Sequence, residues 1–363
     1  MPWQAAAASF FTCWLAIVAL RPLAVAVDLV DRPGGRKTHH GDVPVVGGLA
    51  MFLGIVLGVG LLPIPGPNAG AFLAACAVLV TIGLIDDRFD LSPWTRLPGQ
   101  IAAAMVLIVG SGTTVTTLGD PLGTGPINFS GPVSVAFTIF IIISASNAFN
   151  MLDGMDGLAG TVALASFITI AYIADAAGLS MPLAISLVMI GAVCAFLAFN
   201  VPLRSHGRAQ CFMGDAGSTL LGFAVAWLFI QISQGASKPI TPVTTLWFVA
   251  LPLYELVWST VRRVIRGVSP FKADADHFHH MLLKAGFDMR GAFGVLTMLT
   301  GVLAGIGLLC RHLQLPDRSS FLLLSLLGVA TIRLMYSAKH FWAPRPDLAG
   351  AVKAASTLDK GRS

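Results

Sequence analysis

Apolar positions along this chain come in long unbroken runs, not in the short periods that mark half-buried helices or strands. Bounded by Pro, Gly or charge, the runs fall near 3–27, 45–62, 69–85, 97–117, 133–149, 157–174, 181–201, 216–233, 242–261, 292–310 and 320–338. Each is roughly long enough to cross about 30 Å of hydrocarbon at 1.5 Å per residue. The pattern predicts an all-α, polytopic integral membrane protein of about eleven transmembrane helices. It forms one domain, 1–343, with its polar loops at the run ends, followed by a loose polar tail, 344–363. Neither a repeat between the two halves nor a low-complexity segment is visible.

Composition agrees with this reading. Hydrophobic residues make up 55% of the chain and charged residues 11%, with a mean hydropathy of +0.79. An ordinary soluble domain carries about 25% charged residues, so a soluble fold is excluded. The net charge of +5 does not imply a nucleic-acid partner, because the basic residues sit in short loops between apolar runs. The five cysteines, Cys13, Cys76, Cys194, Cys211 and Cys310, are scattered without metal-ligand spacing and read as small buried hydrophobes. No Lys or Arg precedes Arg21 and no small-residue cleavage site follows a short apolar core, so the first run is expected to stay as a membrane helix.

The distribution of positive charge gives an orientation. The odd-numbered loops and the tail hold eighteen Lys and Arg residues; the even-numbered loops hold three, Lys238, Arg311 and Arg318. By the positive-inside rule the N-terminus is expected outside, in the periplasm, and the C-terminus in the cytoplasm. Every polar motif then faces the cytoplasm.

Three acidic clusters share that face. Asp86 and Asp87 end the third run in LIDDRFDLSP, Asp153 and Asp156 lie in NAFNMLDGMDGLAG, and Asp215 lies in FMGDAGSTLLGF. Ionisable groups near membrane depth are expensive and mark functional sites by default. Adjacent carboxylates repel, and a divalent cation removes the conflict; oxygen ligands without partnered cysteines favour Mg2+ or Mn2+ over zinc. The alternative is that these acids cap helices or pair with loop arginines. The nearby glycines permit tight turns against a phosphate, a weak signal by itself.

Two loops add cations and imidazoles. The first reads DRPGGRKTHHGDVPVVGG, with Arg36, Lys37, His39 and His40 beside a Gly pair, and suits either phosphate capture or a purely topogenic role. The ninth carries SPFKADADHFHHMLLKAGF, with His277, His279 and His280 next to Asp274 and Asp276. Those histidines suit zinc, or hydrogen bonds to phosphate and sugar oxygens.

In order, RKTHHGDVPVVGG, LIDDRFDLSPWTR, NAFNMLDGMDGLAG, FNVPLRSHGRAQCFMGDAGSTLLGF and SPFKADADHFHHMLLKAGF make a specific set. The chain resembles the polyprenyl-phosphate N-acetylhexosamine-1-phosphate transferases over nearly its whole length, and within them the WecA-type enzymes of bacteria. His-Phe-His-His, where the peptidoglycan branch has three consecutive histidines, is similar to the WecA and teichoic-acid branch. The resemblance implies UDP-N-acetylglucosamine as donor, undecaprenyl phosphate as acceptor, Mg2+ as cofactor with Mn2+ able to substitute, and a multi-pass place in the bacterial inner membrane. The product would initiate a surface polysaccharide such as O antigen; a homodimer is left open.

It also implies roles: Asp215 as Mg2+ ligand, and Asp86 and Asp87 as the paired aspartates of metal binding and catalysis. Asn147, Asn150, Asp153 and Asp156 would line the nucleotide site, Phe212 would stack on uracil, Lys37 would contact phosphate, and His277, His279 and His280 form the histidine motif; Arg36, read from the basic loop itself, would help screen the phosphate charge. One departure is Arg88 and Asp90 after the aspartate pair, where peptidoglycan-branch relatives place a lysine. DGMDGLAG superficially resembles the CDP-alcohol phosphotransferase signature but lacks its Ala-Arg and downstream paired acids.

The implied reaction has a lipid phosphate oxygen attack the β-phosphorus of the UDP-sugar and release UMP. A phosphomonoester is largely dianionic at pH 7, so charge neutralisation and alignment should matter more than base catalysis. A different class of reading is a transporter or flippase; against it, the charged clusters sit at run ends on one face and not at the midplane of repeated halves.

Overall fold

The computed structural model describes residues 2–32, 41–63, 67–201, 209–235, 238–269 and 276–341. Arg36, Lys37, His39, His40, Asp274 and the tail 344–363 lie outside the described residues. The described chain is mostly helical: α1 (Pro2–Ala26), α2 (Gly47–Gly60), α3 (Pro67–Phe89), α4 (Pro93–Ser111), α5 (Gly131–Leu152), α6 (Leu158–Ala176), α7 (Ser180–Asn200), α8 (Gly214–Ser233), α9 (Pro242–Trp247), α10 (Ala250–Ile265), α11 (Phe278–Lys284), α12 (Met289–His312) and α13 (Asp317–Phe341). A two-residue antiparallel pair, β1 (Val30–Asp31) and β2 (Val43–Pro44), flanks the first loop.

Eight helices are long and apolar enough to cross a membrane: α1, α3, α5, α6, α7, α8, α12 and α13. The other three apolar runs also fall on helices, and each is weakened for a visible reason. Helix α2 has 14 residues and α10 has 16, about 21 and 24 Å. Helix α4 opens with Trp94, Thr95, Arg96 and Gln100 in its first turns.

Local chemistry sets several boundaries. Ser92 caps α4 by accepting from the Thr95 N–H at 3.3 Å, with Pro93 at the first helical position. The fourth run was expected to reach 117, but α4 stops at Gly112, whose φ of 65° is the left-handed cap conformation. The ninth run was expected to be one span over 242–261, yet it divides into α9 and α10 at Phe248 and Val249. Pro252 has no N–H for the Phe248 carbonyl four residues back, and Ser166 Oγ donates to that oxygen at 2.8 Å in its place.

Helix α8 is the axis of the bundle. Its apolar window is 94% buried, far more than any other candidate span. It is surrounded by α2, α3, α5 and α6, and a helix apolar on every face needs such a position. Small residues let the neighbours close in: a Cβ on Gly83 of α3 would collide with Ala216, and one on Gly222 of α8 with the Ala145 carbonyl and, at 2.8 Å, Ser146 Cα of α5.

The ends of the bundle differ. At one end stand the C-terminal ends of α3, α5, α7 and α10 and the N-terminal ends of α4, α6, α8, α11 and α12. At the other, Gln234 Oε1 accepts from the Thr116 N–H at 3.0 Å and Asp317 Oδ2 from the Asp120 N–H at 3.0 Å, tying loop 113–130 to α8 and α13.

Gly222→Leu should overpack the α5–α8 contact by backbone collision and cost about 2 kcal/mol. Thermal unfolding in detergent should show a midpoint several degrees lower; an unchanged midpoint would mean that the two helices do not meet this closely.

Candidate active site at the N-terminal end of α8

The site is built on the unsatisfied first N–H groups of α8. Met213 at its N-cap provides no side-chain cap. Asp87, near the end of α3, supplies one across the bundle: its Oδ1 accepts from the Asp215 N–H at 2.6 Å and its Oδ2 from the Ala216 N–H at 3.3 Å. A carboxylate there also meets the positive end of the helix dipole. Gly214 turns the chain into α8 with φ of 67°, and a Cβ on it would lie 2.5 Å from Val45 Cγ1 and 2.6 Å from Asp87 Oδ1. Glycine is the residue that fits both demands.

Asp86 faces elsewhere, because consecutive helical residues point about 100° apart. It is 3% exposed. Its Oδ1 accepts from the Leu91 N–H at 2.7 Å and its Oδ2 from Arg96 Nη1 at 2.6 Å. The same Nη1 lies 3.3 Å from Asp215 Oδ2. The other oxygen of Asp215 accepts from Asn150 Nδ2, which also donates to Ser218 Oγ at 3.0 Å. The two aspartates, adjacent in sequence and expected to share one cation, thus have separate partners: an arginine for Asp86 and a helix terminus for Asp87. Helix capping, by Asp87, and pairing with an arginine, Arg96 in the first turn of α4, are both present.

The α5–α6 turn completes the acidic group. Burial, and then the charges of Asp215, Asp87 and Asp156, push the Asp153 carboxyl well above the ordinary carboxylate range. The turn is fixed to the entrance of α8 by Asn200, which accepts from the Gly157 N–H at 2.6 Å and donates to the Cys211 carbonyl at 2.9 Å. Asn147, one turn before Asn150, pairs with Gln100 at 3.2 Å and the Ile143 carbonyl at 2.8 Å and makes no recorded bond to Asp215. Phe212 joins the chain after the first loop to α8: its N–H donates to the Pro44 carbonyl at 2.9 Å and its carbonyl accepts from the Gly47 N–H at 2.9 Å.

The histidine segment meets this group from the other side. A Cβ on Gly154 would lie 2.5 Å from His279 Cε1 and 2.7 Å from its Nε2. The His279 and His280 rings are 4.1 Å apart, and His277 lies parallel to His279 at 5.9 Å. Burial, and then the charges of His280 and His277, hold His279 down at about 3. It is 3% exposed, and its Nε2 has no hydrogen-bond partner among the described residues. Among those residues no three His, Cys, Asp or Glu side chains form a ready metal-holding group.

Residues 69–233, from α3 through α8, match the model of glycosyl transferase family 4. Over 322 residues the chain is 38% identical to the undecaprenyl-phosphate alpha-N-acetylglucosaminyl 1-phosphate transferase of Escherichia coli strain K12, covering 89% of this chain and 87% of that protein. The proteins of the same name from Salmonella typhimurium and Haemophilus influenzae are 37% identical over 326 residues and 34% over 338, with 90% and 88%, and 92% and 93%, of the two chains covered. The chain belongs to glycosyl transferase family 4. The matched segment of this family member carries every aspartate of the α8 site, whereas the histidine segment lies beyond it.

Four residues of the site in this glycosyl transferase escaped sequence reading: Arg96, Asn200, Ser218 and Glu255. In the sequence Arg96 is one of the eighteen basic residues that set orientation, and nothing in the spacing shows it reaching Asp215, 119 residues away. Glu255 carried a signal that went unused, an acid inside an apolar run, the only Glu in the chain.

Arg96→Gln should cost about 3 kcal/mol, because it strands the buried Asp86 charge. Adding Asp86→Asn should recover part of that loss in thermal unfolding; additive losses would show that the two do not act as a pair.

His279 also fixes a pH dependence. Its folded pKa lies below the unfolded value, so its contribution is complete above about pH 6.5 and is lost as pH falls toward 3. Below pH 6.5 wild type should lose up to about 1.4 kcal/mol per pH unit more than His279→Gln. Parallel unfolding-midpoint curves for the two proteins would contradict the buried neutral imidazole.

Proposed function

We propose that this chain transfers N-acetylglucosamine 1-phosphate from UDP-N-acetylglucosamine to undecaprenyl phosphate, releasing UMP and leaving undecaprenyl-pyrophosphoryl-N-acetylglucosamine. The observation that carries this reading is the group of carboxylates gathered on the α8 terminus, in a chain 34–38% identical over most of its length to proteins so named. In the reaction an acceptor phosphate oxygen attacks the β-phosphorus, and the bond from that phosphorus to the UMP oxygen breaks. The electron pair leaves with UMP. Both reactants are anionic, so the site must supply positive charge.

A divalent cation, Mg2+, fits the donors. The carboxyl of Asp153 is raised partly by the negative charge of Asp215, Asp87 and Asp156, so positive charge is short within this group of carboxylates, whose ligand atoms are hard oxygens. Mg2+ is commonly held by one or two carboxylates together with substrate phosphates, not by a complete protein cage. We assign Asp215 and Asp87 to hold it. Bound there, Mg2+ would neutralise phosphate charge and stabilise departing UMP.

The remaining roles belong to the protein. Asn150 orients Asp215 through its amide. Asp86 holds Arg96 beside Asp215, where the guanidinium can face an incoming phosphate. Asp153 and Asp156 line the donor pocket with Asn147, and Phe212 offers a ring to uracil. His279, with its unpartnered Nε2, and His277 and His280 meet phosphate or sugar oxygens, and Arg36 and Lys37 serve the acceptor phosphate.

The site is assigned to the cytoplasmic face of a bacterial inner membrane, with eleven spans and the N-terminus outside. Arg88, Arg96, Arg262, Arg263, Arg266, Lys284 and Arg290 stand at the acidic end, against Lys238, Arg311 and Arg318 at the other, in keeping with the positive-inside rule. The acceptor would present its phosphate at that interface with its chain in the bilayer.

UMP release from UDP-N-acetylglucosamine and undecaprenyl phosphate, measured on the purified chain with and without Mg2+, tests the proposal. Wild type should require both lipid and Mg2+, and Asp215→Asn should fall by about a thousandfold or more. Folded wild type that releases no UMP from any of a panel of UDP-N-acetyl sugars would overturn it.

A further inference from the structure

Glu255 sits in the second turn of α10, 1% exposed, and a buried carboxylate persists only where donors replace the water it has lost. Both of its oxygens are engaged at one point: Oε1 lies 2.8 Å from His277 Nδ1, and Oε2 accepts from the Phe278 N–H at 3.0 Å. His277 is the N-cap residue of α11 and offers no side-chain cap, so Glu255 satisfies one of the orphan N–H groups of that helix. With seven residues, α11 has little stability of its own.

A second tie holds the same turn. Arg262, two turns along α10 from Glu255, donates through Nη1 to the Asp276 carbonyl at 2.6 Å. The segment so held presents His279 to Gly154, next to Asp153. A carboxylate at Nδ1 also selects a tautomer, the one with the proton on Nδ1.

We propose that Glu255 is the positioning residue of the histidine segment, fixing the tautomer of His277 and seating α11 so that the imidazoles meet the phosphates of the donor nucleotide. This rests on the transferase reading above. Glu255 does not touch substrate; it acts through His277. A glutamine at this position has one acceptor oxygen for two donors and would set an N–H against one of them.

The test is a double-mutant cycle on the full-length chain in detergent: wild type, Glu255→Gln, His277→Ala and the double variant. For each, kcat and KM for UDP-N-acetylglucosamine, the Kd for UMP and the unfolding midpoint are measured. Glu255→Gln should lower kcat/KM by tenfold or more, and the double variant should be no worse than His277→Ala alone to within about twofold. Losses that multiply, or a Glu255→Gln enzyme with wild-type kcat/KM, overturn the proposal.

Should Glu255→Gln fail to fold, His277→Gln decides, because its amide still donates to Glu255 without an imidazole. Tenfold lower kcat/KM at a wild-type midpoint supports the proposal, and wild-type kcat/KM overturns it. Wild type that binds UMP but turns over no UDP-sugar overturns the transferase reading instead, and the cycle is then read on the UMP Kd.

Discussion

The N-terminus of α8 rests on the carboxylate of Asp87, and the rest of the site is arranged around that contact. A helix buried on every side cannot leave its first N–H groups to water, and Met213 offers them no side chain. The residue that satisfies them arrives from α3, 128 positions earlier in the chain. It brings a negative charge to the positive end of the helix dipole, which fixes the height of α3 against α8. Gly83, in contact with Ala216 one turn further into the bundle, allows the two backbones to come that close.

That arrangement gives the other charges their places. Since Asp87 faces α8, Asp86 faces Arg96, and Arg96 spans from Asp86 to Asp215. Asn150 reaches Asp215 from the opposite flank. Carboxylates that would repel one another are held by fixed donors, and Asp153, pushed up by its acidic neighbours, marks where positive charge is still wanted. An electrostatic site preorganised this way spends little reorganisation energy when anionic reactants enter.

The histidine segment depends on the same logic at a second buried acid. Buried Phe278, Met281 and Leu282 anchor the seven-residue α11 in the core, and Glu255 and Arg262 add the polar ties that fix the turn leading into it. Two carboxylates, the partly buried Asp87 and the buried Glu255, each cap a helix that carries site residues, and neither cap is supplied by the helix it serves.

The sequence by itself determined the class of protein, since apolar runs of this length need a bilayer or a buried position; each of the eleven runs falls on a helix, and eight of those helices have the length and apolarity to span. It also pointed to Asp86, Asp87, Asp153, Asp156 and Asp215, because charges next to such runs are costly. It did not determine the break at Phe248 and Val249, where Pro252 removes an N–H and Ser166 replaces it, or the end of α4 at Gly112. Nor did it reveal that neighbours in sequence have different partners: Asp86 and Asp87 read as one pair, and helical geometry turns them apart. Arg96, Asn200 and Glu255 took their roles only in the tertiary structure, because the groups they bond lie on other helices and no local period records which helix ends will meet.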